Sequence, residues 1–68
     1  MAYPIYNFTV PELNFLRENC NFSAEEMEYF NLRAKHYSNF QISLEMNVSE
    51  SKVSKLAKSV KQKIIKVL

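Results

Sequence analysis

One local pattern occurs four times in this chain and limits what it can fold into. An apolar residue is followed by Ser or Thr, and a second apolar side chain stands four positions after the hydroxyl. The segments run from Phe8-Thr9 to Leu13, from Phe22-Ser23 to Met27, from Tyr37-Ser38 to Ile42, and from Val48-Ser49 to Val53. A hydroxyl in this place accepts hydrogen bonds from free N–H groups at a helix start. The flanking apolar pair closes over it as a hydrophobic staple. Glu12, Glu26 and Gln41 stand three residues after their hydroxyls and complete capping boxes. Lys52 takes that place in the fourth repeat, which is costly for an isolated helix and useful beside a phosphate.

Four starts predict four helices: about Val10 to Glu18, Ala24 to Lys35, Asn39 to Met46, and Glu50 toward Val67. The fold class is therefore all-α, a four-helix (tetrahelical) domain. Residues 1–8 read as an arm containing Pro4, whose Tyr3, Tyr6 and Phe8 cover part of the core. Residues 9–68 read as the domain. Glycine and aspartate are absent, which removes both the phosphate-cradling loop and tight two-residue hairpins.

Helical spacing selects the core. It comprises Leu13, Phe15 and Leu16, then Met27, Phe30 and Ala34 with Leu32 partly buried, then Ile42 and Met46. The last helix adds Val53, Leu56, Ala57, Val60, Ile64 and Val67. Sixty-eight residues make one domain with a modest core. Cys20 is the only cysteine, so disulfides do not help; it reads as a small buried apolar side chain. One cysteine and one histidine do not supply a structural zinc site, so neither a metal nor a cofactor is expected. His36 sits at the end of the second helix with no acid-base partner set around it, and an enzyme is not expected. No apolar run is long enough to cross a bilayer and the start lacks a secretory signal. The expected location is cytoplasmic, associated with the nucleoid.

Charge is divided along the chain. Residues 1–32 hold one base, Arg17, against five acids, whereas residues 33–68 hold eight bases against two acids. A basic half suits a polyanion partner. The link between the third and fourth helices is only Asn47, Val48 and Ser49. Such a link predicts a helix-turn-helix over about residues 38–62, with the second helix set steeply to the first. Asn47 takes the positive-φ place that glycine usually fills, Val48 anchors the turn in the core, and the small Ser43 permits close helix approach. With Val53, Ala57 and Val60 inward, the recognition helix after Ser49 presents Ser51, Lys52, Ser54, Lys55 and Lys58 to base edges. Ser38, Asn39, Ser49, Lys61 and Lys63 are the expected phosphate contacts.

From Phe22 to Ile64 the sequence resembles region four of bacterial sigma factors and the related domain of LuxR-type regulators. The resemblance lies in Phe22-Ser23-Ala24-Glu25-Glu26, Phe30-Asn31-Leu32-Arg33, Gln41-Ile42-Ser43 and the run from Val48 to Leu56. In size and composition the chain is also similar to small prophage or plasmid regulators. The resemblance implies a tetrahelical domain seated in the major groove of double-stranded DNA, with Ser51, Lys52, Ser54, Lys55 and Lys58 facing it. It also implies a possible contact with RNA polymerase. Ser43 and Asn47 depart from the usual alanine and glycine, and Phe40 and Leu44 are apolar where polar residues are common. The sequence therefore supports a transcriptional regulator that binds duplex DNA. The alternative is a sigma-like adaptor or decoy for RNA polymerase or another regulator. The acidic first half, Phe40, Leu44 and the apolar end (Ile65, Val67, Leu68) favour that alternative or a homodimer.

Overall fold

The structure is a computed structural model that describes residues 8–67. The expected positions of Tyr3, Tyr6, Leu68 and most of the arm lie outside the described residues. The fold is all-α, with α1 (Val10–Asn19), α2 (Ala24–Ala34), α3 (Asn39–Met46) and α4 (Glu50–Val67). α1 runs one residue past its expected end and α2 stops one short; α3 and α4 match the expected bounds.

Each helix starts at the hydroxyl the sequence offers. Thr9 accepts from the Glu12 N–H and Glu12 accepts from the Thr9 N–H; Ser23 with Glu26 and Ser38 with Gln41 repeat this exchange. Ser49 Oγ accepts from the Lys52 N–H at 3.1 Å. Lysine has no acceptor to return, so the fourth cap is one-sided.

The helix ends show how a chain without glycine turns corners. Asn21, His36 and Asn47 all have positive φ, at 52°, 71° and 57°. Asparagine and histidine enter this region more readily than most side chains do. After α2, the His36 N–H donates to Arg33 C=O at 3.0 Å and the Tyr37 N–H donates to Leu32 C=O at 3.3 Å. After α3, the Asn47 N–H donates to Leu44 C=O at 3.3 Å and the Val48 N–H donates to Ser43 C=O at 3.0 Å. Both are Schellman pairs, which satisfy carbonyls that a helix end leaves open. Val48 then packs on the core.

α4 is the element around which the others gather: it packs against α1, α2 and α3. Its Val53, Leu56, Val60 and Ile64 are buried at three- and four-residue steps. They join Leu13, Leu16, Cys20, Tyr29, Phe30 and Ile42 in one core. Ser43 is buried where α3 lies in that core, and its hydroxyl donates to Phe40 C=O at 2.6 Å.

Two core assignments are corrected. Phe15 is 50% exposed rather than buried. With Leu13 and Leu16 inward, position 15 lies off the inner stripe of α1, and Phe15 lines an open groove of about 340 Å3 with Phe8, Pro11, Glu12 and Leu16. Met27 is only partly buried, as are Ala34, Met46, Ala57 and Val67; those four pack against the core, whereas Phe30 and Tyr29 take the inner face of α2 in place of Met27. Tyr29, absent from the expected core, is 4% exposed. Its hydroxyl reaches Asn39 Oδ1 at 3.4 Å, which lets a polar tip end in an apolar interior. Burial pushes its phenol pKa up, partly offset by Arg33. Burial likewise raises the Cys20 thiol, against a smaller opposing effect of Lys63, as suits a packing residue.

Candidate nucleic-acid interface

α4 carries its polar residues on three sides of the buried stripe. Ser51, Ser54, Lys55, Lys58 and Gln62 are exposed. At 3.6 residues per turn they share the face opposite Val53 and Val60. Ser51, Ser54, Lys55 and Lys58 thus lie together on the outer face, as expected. Ser38, Asn39 and Ser49 are also exposed, at the starts of α3 and α4. Each serine hydroxyl already accepts one N–H of its own helix, and Asn39 Oδ1 accepts from Tyr29. Lys61 is half-buried on one flank.

Lys52 lies on the other flank, away from the centre of the outer face. Its ammonium is 3.2 Å from the carboxylate of Glu25, in the first turn of α2. That acid supplies from a neighbouring helix the negative charge that the third position of α4 lacks.

Lys63 is a correction. Its ammonium does not face outward with Lys61, because residues two apart on a helix point to nearly opposite sides. It turns toward α2, 2.5 Å from Glu26 Oε1, and donates to Asn21 C=O at 3.3 Å. Glu26 is 6% exposed. It also accepts from the Ser23 N–H at 2.8 Å and from the Ser59 hydroxyl. The Lys63 and Ser59 side chains and the Ser23 backbone hold its carboxyl at a pKa of about 2, against a smaller upward push from burial. Ordinary carboxylates titrate near 4.5. Lys63 therefore belongs to the packing of α4 rather than to its outer face. Its partners are missing from the sequence reading because no local spacing relates residue 26 to residue 63.

Among the described residues no group of three or more His, Cys, Asp or Glu side chains is placed to hold a metal, and no helix is long and apolar enough to cross a membrane. Comparison with known protein families, curated proteins and solved structures finds no match.

Outside α4, α3 leaves Phe40 and Leu44 exposed, at 57% and 65%. They are one turn apart and form an apolar edge on the side away from Ile42.

Proposed function

We propose that this protein is a DNA-binding transcriptional regulator that reads the major groove with the outer face of α4. The observation that carries this reading is the turn at Asn47. Its left-handed conformation ends α3 and starts α4 after only Val48 and Ser49, which suits the helix-turn-helix architecture. On the face that remains, Ser51, Ser54, Lys55 and Lys58 are exposed together. Lys55 is the candidate for guanine O6 and N7, and the two serines either donate or accept. Lys52 and Lys61, on the two flanks, are suited to phosphates on the two sides of the groove, with the starts of α3 and α4 contributing N–H groups. The resemblance to sigma region four and LuxR-type domains points the same way. The segregation of bases into the second half of the chain supports it further.

Fluorescence anisotropy with a random-sequence duplex tests this at two salt concentrations. Three or four phosphate contacts give a log–log salt slope of about −3, or roughly 60-fold weaker binding between about 50 and 200 mM salt. Absence of binding at the lower salt defeats the reading.

The exposed Phe40 and Leu44 favour a second reading, an adaptor that docks on RNA polymerase or another regulator, or pairs with its own copy. In that case affinity for duplex is absent and the apolar edge of α3 carries the contact.

A further inference from the structure

Glu25 and Glu26 are consecutive residues in the first turn of α2, and both reach α4. Glu26 meets Lys63 and Glu25 meets Lys52. The two lysines are three turns apart on the same flank, about 16 Å along the axis. Ser59, between them on that flank, also bonds to Glu26. α2 thus holds α4 at two points of opposite character. The Glu26 contact is closed: the carboxylate side chain is 8% exposed and has several donors. The Glu25 contact is open, with side-chain exposures of 43% for Lys52 and 52% for Glu25. Lys52 sits beside the start of α4, where the Ser49 N–H has no capping-box partner because residue 52 is a lysine.

We propose that the Glu25–Lys52 pair is a latch that DNA competes open: the carboxylate of α2 holds the flank lysine of α4 until a duplex phosphate takes its place. The proposal rests on the DNA-binding reading above. The exchange needs no change of fold, because the Glu26–Lys63 contact keeps α4 on α2 while Lys52 changes partners. Lys52 is then a phosphate ligand and not a base reader, which fits its place on the flank. Glu25 is a positioning residue that sets the threshold for binding. A polyanion that brings a phosphate to that flank displaces it, whereas one that does not is met by its negative charge.

The test is a double-mutant cycle on affinity for a random-sequence duplex about two helical turns long, measured at about 50 mM salt. Exposed pairs of this kind carry little energy, so Glu25→Gln is expected to tighten binding by about two- to fivefold. In a Lys52→Gln background the same substitution is expected to have a smaller effect, because only the general repulsion between Glu25 and phosphate is left to relieve. Glu25→Asp keeps the charge but is one methylene shorter, so it releases Lys52 and also tightens binding. Circular dichroism melts of each variant show that the fold is retained.

Equal tightening by Glu25→Gln with and without Lys52, or by the exposed control Glu28→Gln, would mean simple charge repulsion and overturn the latch. So would loss of the effect in Glu25→Asp. If the wild type binds duplex and Lys55→Glu abolishes it while Glu25 variants change nothing, the latch fails and the DNA-binding reading stands. If the wild type does not bind at all, both fail together.

Discussion

Glu26 Oε1 lies 2.5 Å from Lys63 Nζ, and the same oxygen accepts the Ser23 N–H that opens α2. One carboxylate thus completes a helix cap and fastens the longest helix. Glu26→Gln separates the two roles, since Gln41 shows that glutamine completes the box as well as glutamate does. The substitution leaves the partly buried Lys63 without its counter-charge. Removing one partner of such a pair costs several kcal/mol when fully buried; because Lys63 is partly exposed, about 2 kcal/mol is expected, read by urea unfolding.

The same carboxylate makes stability depend on pH. Its folded pKa of about 2 lies below the ordinary value of 4.5. Between these values the unfolded chain binds more protons than the folded one, so stability rises with pH across the window. The stabilisation is complete above about pH 5 and is lost as pH falls through 2. Unfolding midpoints measured from pH 6 to pH 2 are expected to fall in the wild type and to fall less steeply in Glu26→Gln. Parallel curves for the two proteins would remove Glu26 from this account.

Asn47 is expected to tolerate glycine and to reject β-branched residues. Its φ of 57° and ψ of 47° suit glycine without strain. Asn47→Val pushes a branched Cβ into the left-handed region, at a cost of about 1–2 kcal/mol. In a domain of this size that lowers Tm by roughly 5–15 °C. Thermal melts of both variants check the turn.

The sequence makes these helix starts legible because capping is local: a hydroxyl, an apolar pair and, in three of the four, a Glu or Gln three residues on are all visible within six positions. The turn at Asn47 is legible for the same reason. No local motif marks Asn21 and His36 as left-handed, although both follow helices in a chain without glycine, where asparagine and histidine serve instead. The Phe15 exposure and Tyr29 burial depend on which stripe of α1 and α2 turns inward, and short helices with mixed aromatic faces leave that choice to packing. The links from Glu25 to Lys52 and from Glu26 to Lys63 join residues 27 and 37 positions apart. Only folding brings them together, and it moves Lys63 from the expected phosphate set to the packing of α4.

Phe40 and Leu44 test the second reading. Replacing both with Ser and Gln removes apolar surface that is more than half exposed, so each change is expected within about 0.5 kcal/mol in stability. Duplex affinity is expected to be unchanged. A loss of self-association in sedimentation, with DNA binding absent throughout, would favour the adaptor.

Lys55→Glu is expected to abolish duplex binding while the circular dichroism spectrum stays native, because Lys55 is exposed on the outer face of α4. Retained binding by a folded variant removes Lys55 from the site.

The most direct test of the central claim is an amide chemical-shift titration of the labelled protein with duplex DNA. The account predicts that the largest perturbations fall on Ser51, Ser54, Lys55 and Lys58 and on the starts of α3 and α4. Perturbations confined to Phe40, Leu44 and their neighbours, or no change at low salt, would contradict it.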